Sequence, residues 1–172
     1  MSSVSRFALN AGPQWPDAAE GTDGLWELAY YSEASGPIEV QRLEALMRDA
    51  GDRNRASGVT GILLYWDQSF FQVLEGAVRD IRAIYQGFIV PASSHKSLFV
   101  CHLGPLAARS FPDWSMAVRT VARDSSIADL HDTIDALGAR PPAVGRRSAG
   151  RVLLGSFVRN MRADWEPDAA IR

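Results

Sequence analysis

Gln72 is set among apolar neighbours where a polar amide needs a reason. In Phe70-Phe71-Gln72-Val73-Leu74-Glu75 alternate residues share a strand face, so Phe70, Gln72 and Leu74 point one way and Phe71 and Val73 the other. A buried amide without partners costs about 1–3 kcal/mol per unmet group. Its carbonyl accepts and its NH2 donates, so a flip or tautomerisation exchanges what it offers and makes it a two-state element. Tyr30 brings a phenolic donor onto the face it shares with Trp26 and Leu28, Asn54 stands just before the second strand, and Trp114 and Met116 share a face of the last strand. The chemistry within reach of this set is an exchange of hydrogen bonds, and each residue taken singly also fits ordinary core packing.

The usual signatures of covalent or metal catalysis are missing: there is no Gly-rich phosphate loop, no Cys-x-x-Cys and no His-Glu-x-x-His. His95, His102 and His131 are scattered and not at metal-ligand spacing. Glu75 could serve as a carboxylate base, but it ends a strand and needs no catalytic explanation. Cys101, in Leu98-Phe99-Val100-Cys101, reads as a small buried hydrophobe, and a single cysteine excludes an intramolecular disulfide.

The elements that position these residues follow from periodicity. Leu25–Ser32 alternates as a strand and Gly36-Pro37 breaks it. Val40, Leu43, Leu46, Met47 and Ala50 recur at helical spacing, with Gly51 suited to the helix exit. Val59–Trp66 is a nearly continuous apolar run, as in a central strand. Asp67-Gln68-Ser69 is a turn, and Phe70–Glu75 pairs back. Ile81, Ile84, Tyr85, Phe88 and Ile89 form a second amphipathic helix stopped by Pro91. Leu98–Leu103 and Trp114–Val121 are two more strands, joined by a loop containing Gly104-Pro105. The order β-α-β-β-α-β-β predicts an α+β, ferredoxin-like sheet with one extra strand and two helices on one face, leaving a slot for a flat ligand.

Residues 1–23, rich in Gly, Pro, Asp and Ser, are expected to form a mobile extension; residues 24–123 form the domain; residues 124–172 form a C-terminal helical cap. In the cap, Ser125-Ser126 caps a helix carrying Ile127, Leu130, Ile134 and Leu137, and Val152, Leu153, Phe157, Met161 and Trp165 make a second. This pair is too small to fold alone and is expected on the open sheet face or on a second copy. With 47 % hydrophobic and 22 % charged residues and a net charge of -2, the chain reads as a globular protein with no field that draws it to nucleic acid or an anionic membrane. Arg140, Arg146, Arg147 and Arg151 are too few for a phosphate-tracking groove. The N-terminus has no apolar run of a signal peptide and no segment is long enough to span a membrane, so the cytoplasm is the expected compartment.

Four segments carry a resemblance. Leu28-Ala29-Tyr30-Tyr31-Ser32, Asn54 with Gly58-Val59-Thr60-Gly61-Ile62-Leu63-Leu64-Tyr65, Phe70-Phe71-Gln72-Val73-Leu74-Glu75-Gly76 and Phe111-Pro112-Asp113-Trp114-Ser115-Met116 together resemble a BLUF domain over roughly residues 25–120. The resemblance implies a blue-light sensor with bound FAD, FMN being the alternative, and no enzymatic output of its own. In it Tyr30 donates an electron and a proton to the excited flavin. Gln72 bridges Tyr30 to flavin N5 and O4, and Asn54 bonds the O4/N3 edge. Trp114 and Met116 relay the change in Gln72. Ile81, with Leu43, Met47 and Ile84, walls the slot, and His95 matches the end of a flavin-gripping segment. Output is then a changed contact with an unidentified protein partner or within a homo-oligomer.

That segment departs from the family pattern. Asp-x-Arg-His is usual after the second helix, whereas this chain reads Ala92-Ser93-Ser94-His95, and the usual paired Asn is Arg53-Asn54. Arg53 and Arg55 are the two candidates to supply the missing cation from the other side of the slot. Looser flavin binding is expected. The competing readings are a BLUF fold without flavin that acts as an interaction module, and an acylphosphatase-like hydrolase, for which the chain shows no phosphate-cradling loop.

Overall fold

The computed structural model describes residues 12–16, 24–112, 117–120 and 148–163. The strands are β1 (Leu25–Ala34), β2 (Thr60–Trp66), β3 (Ser69–Ala77), β4 (His95–Leu106) and β5 (Ala117–Thr120). The helices are α1 (Val40–Ala56), α2 (Val78–Ile84) and α3 (Ala149–Ala163). One sheet has the order β4-β1-β3-β2-β5. The first four strands pair antiparallel, and β5 lies parallel to β2. This is the split β-α-β arrangement of ferredoxin-like folds with a fifth strand added.

The β2–β3 hairpin closes at Trp66 and Ser69, leaving Asp67 and Gln68 as the turn. Both have positive φ, 43° and 62°, the left-handed pair that matches the twist of a two-residue hairpin. Helix α1 does not exit at Gly51 as expected. It runs to Ala56, and the reversal falls at Ser57-Gly58, where Gly58 takes φ 64°. Asn54 is therefore helical. Eleven residues are close to three turns, so Asn54 shares the inward face of Leu43 and is 1 % exposed.

Helix α2 continues into a π-helical turn at Tyr85–Ile89, in which the Val90 N–H reaches five residues back to the Tyr85 carbonyl at 2.9 Å. β4 runs through Gly104-Pro105, the pair expected in a loop. It pairs on one side with β1, and an edge strand tolerates the missing proline N–H. Its register slips between Ala29 and Tyr30, where Cys101 is the additional residue opposite Tyr30.

The two sheet faces carry separate cores. On one, Leu28, Tyr30, Leu74, Ile81, Ile84 and Tyr85 pack together, continuing to Leu43, Leu63 and Phe70 beside α1. On the other, Ala29, Ile62, Leu64, Phe71 and Val73 pack with Phe111 and Leu154, and Cys101 and Phe157 lie against them. Helix α3 thus covers the face opposite α1 and α2; the helix expected over Ile127–Leu137 lies outside the described residues. Within the N-terminal extension Gly12–Pro16 is described, and Trp15 packs on Tyr85 with ring centroids 5.7 Å apart.

A carboxylate pair fastens the α3 side. Glu27 and Glu75 oppose each other across β1 and β3, 2 % and 0 % exposed. Glu75 accepts from the Ser110 and Phe111 backbone N–H groups at 3.0 Å. Burial nevertheless raises its pKa, more than those two donors lower it. Glu27 accepts from the Gly150 N–H at 3.1 Å and lies 3.5 Å from His102 Nε2. Ser148 caps the same helix by accepting from the Arg151 N–H at 3.1 Å. No helix among the described residues is long and apolar enough to cross a membrane.

Candidate functional site

A slot opens between α1, α2 and the sheet. Its floor is Tyr30 and Ser32 from β1, Leu63 from β2, and Phe70 and Gln72 from β3, each at the alternate position that faces the helices. Helix α1 supplies Leu46, Met47, Ala50, Arg53 and Asn54; the end of α2 and its π turn supply Ile84, Phe88 and Ile89. Ala92, Ser94 and His95 form the rim.

On the floor, the Tyr30 hydroxyl donates to Gln72 Oε1. The two residues are directly opposed in the β1–β3 ladder, and each is 5 % exposed. Burial first, and then the neighbouring Tyr85 hydroxyl, push the Tyr30 pKa far above that of a free phenol, so Tyr30 keeps its proton. The Tyr85 ring meets Tyr30 edge-on at 6.4 Å.

His95 Nε2 lies 2.8 Å from the Ile89 carbonyl, which can only accept; the proton therefore sits on Nε2, and Nδ1 presents a lone pair. Burial lowers the His95 pKa and outweighs the Ile89 contact, keeping the ring neutral. Arg53 lays its guanidinium 4.6 Å from the Phe88 ring centroid. Arg55, two residues on and about 200° around the helix, is 70 % exposed and paired with Asp52 at 2.8 Å.

Three buried polar atoms without a hydrogen-bond partner among the described residues belong to slot-lining side chains: Ser32 Oγ, Arg53 Nε and His95 Nδ1. A hydroxyl, a donor and an acceptor left open at one apolar slot suit a planar ligand with both carbonyls and an N–H on its edge. The residues present therefore fit a flavin ring.

Of the residues singled out from sequence, the structure brings Tyr30, Asn54, Gln72 and His95 together around the slot. Ile81 is fully buried in the core beneath α2, and Ile84, nearly one turn later, lines the slot instead. Trp114 and Met116 lie outside the described residues. Ser32 and Phe88 were not anticipated: Ser32 follows from the period-2 face of Tyr30, whereas the π turn that places Phe88 leaves no mark in the apolar pattern. Cys101 packs on the α3 side, away from the slot. Among the described residues no group of three or more His, Cys, Asp or Glu side chains is arranged to hold a metal ion.

The chain is similar to several known proteins. A photoactivated adenylate cyclase subunit beta of Euglena longa is 31 % identical over 79 % of this chain, which spans 16 % of that relative. The blue light- and temperature-regulated antirepressor BluF of Escherichia coli strain K12 is 39 % identical over 36 % of this chain and 15 % of its own. The dark-state structure of the BLUF protein BlrB is 27 % identical with a TM-score of 0.60, covering 83 % of this chain and 98 % of BlrB. The family model for BLUF, sensors of blue light using FAD, matches residues 25–117. The match runs from the first residue of β1 to the first of β5 and takes in the whole slot, so the chain belongs to the BLUF family of flavin-based blue-light sensors.

Proposed function

We propose that the slot between α1 and α2 holds the flavin and that light is registered in the Tyr30–Gln72 hydrogen bond. When bound, the flavin supplies absorption of blue light and an excited state that draws electron density from its neighbours. Tyr30 is the electron donor at hand. Because burial holds its proton in place, Tyr30 gives up an electron only as the proton leaves, and Gln72 Oε1 already accepts that proton's hydrogen bond. The electron and proton then return to Tyr30, and Gln72 is left flipped or tautomerised, with the groups it offers to Tyr30 and to the ring exchanged. Asn54 and His95 orient the ring's polar edge from two sides, and the apolar side chains of both helices exclude water.

The single observation that carries this reading is the buried Tyr30–Gln72 contact on the slot floor. The output proposed is a changed contact of the sheet and α3 with a protein partner or a second copy, in the cytoplasm, with no catalysis by this segment itself. Relatives named as a photoactivated cyclase subunit and as an antirepressor support a sensor that acts on other protein segments.

The test is an absorption spectrum of the purified protein in the dark, after blue light and after dark recovery, with flavin added. The expected result is a small red shift that reverses in the dark, lost in Gln72→Leu and in Tyr30→Phe while flavin stays bound. Bleaching of the main band refutes the hydrogen-bond mechanism, and failure to take up any flavin favours a flavin-free interaction module.

A further inference from the structure

Among the described slot-lining residues one side chain carries a formal charge at neutral pH. Arg53 stands on the α1 wall, no carboxylate lines the slot, and His95 is neutral. A guanidinium offers five N–H donors and accepts nothing. Phe88, from the π-helical turn that follows α2, lies against it. Yet Arg53 Nε is enclosed without an acceptor. A buried donor left in that state calls for a partner, and the ring's carbonyls would supply one. The opposite rim offers only Ala92, Ser94 and the neutral His95.

We infer that Arg53 is the ligand-gripping cation of this slot, donating to the electron-rich carbonyl edge of the bound ring from the α1 side. This rests on the flavin reading above. The ring edge is the partner because Nε is enclosed in the wall next to the almost fully buried Asn54, whereas a phosphate would keep its oxygens in water at the mouth. Arg55 does not share the role, since it is exposed and already paired with Asp52. A fixed positive charge there has a second effect: it favours the negative charge that the ring gains on reduction.

The experiment titrates the full chain, stripped of flavin, with riboflavin, FMN and FAD, and measures the reduction potential of the loaded protein. Arg53→Gln is expected to bind all three flavins about 10- to 100-fold more weakly. It is also expected to lower the reduction potential. Arg53→Lys, which keeps the charge and loses the planar fork, should fall between parent and Arg53→Gln in both readouts. Arg55→Gln should stay within about twofold of the parent. Unchanged affinity or potential in Arg53→Gln overturns the assignment. A loss confined to FMN and FAD also overturns it, by moving the contact to the phosphate. A parent that takes up none of the three overturns the flavin reading itself, and this inference with it.

Discussion

The Tyr30–Gln72 pair is open to a double-mutant cycle in the flavin-free chain. Both side chains are 5 % exposed and directly opposed in the sheet, so each faces the other across the slot floor. Tyr30→Phe takes the Tyr30 donor from Gln72 Oε1, and losing one side of a buried hydrogen bond costs about 1–3 kcal/mol at most. Gln72→Leu leaves the Tyr30 hydroxyl in the same position and should cost a similar amount, reduced by the apolar contacts that leucine adds. The double variant removes donor and acceptor together and should cost less than the two single variants summed. The coupling energy expected is therefore about 1–2 kcal/mol. In urea unfolding with a slope of about 2 kcal/mol per molar, that is a departure from additivity of about 0.5–1 M in midpoint. Midpoint shifts that add, leaving a coupling below about 0.5 kcal/mol, would refute the claim that this hydrogen bond holds the slot floor in one arrangement.

Two further outcomes follow from the same structure. Gly150→Ala should lower the melting temperature, although alanine gains up to about 1 kcal/mol over glycine in a helix. The new Cβ would lie 2.8 Å from both Glu27 Oε2 and Val73 Cγ1, and overpacking of that kind costs about 1–3 kcal/mol; a rise in melting temperature would show that α3 does not seat on Glu27. His95 should make the fold acid-sensitive. Its folded pKa lies below the ordinary 6.5, so the unfolded chain takes up the proton first. Its contribution is complete above 6.5 and is lost as pH falls through the lower, folded value. Chemical denaturation at a series of pH values should show His95→Gln losing less stability than the parent below about pH 6.

Much of this arrangement is legible in the residues, and the gaps have physical causes. Period-2 alternation put Tyr30 and Gln72 on helix-facing positions of two strands, and helical spacing gave both helices. Where chain punctuation was used, tertiary context overrode it. Gly51 sits inside α1 because the helix packs across it, and Gly104-Pro105 continues a strand because that strand is at the sheet edge. Arg53 and Arg55 were indistinguishable as neighbours in sequence; helical phase turns one into the slot and the other into water. Glu27 and Glu75 lie on different strands and meet through the β1–β3 register, which the sequence pattern did not fix. Ile81 and Ile84 differ by nearly a turn, and apolarity alone does not say which faces the core and which the slot.

The alternation along β3 has a consequence for how the two sides of the sheet communicate. Gln72 points to the slot, whereas Phe71, Val73 and Glu75 point to α3. No side chain of one parity touches the other side, so anything that links the slot to α3 through β3 travels in the peptide units themselves, as a rocking of carbonyl planes or a small slip of ladder bonds. The strand then works as a rocker arm whose pivot is its own hydrogen bonding to β1 and β2. Its motion would be visible in the carbonyl stretch of residues 71–75, where isotope-edited infrared spectra could follow it while the side-chain cores on both sides stay packed.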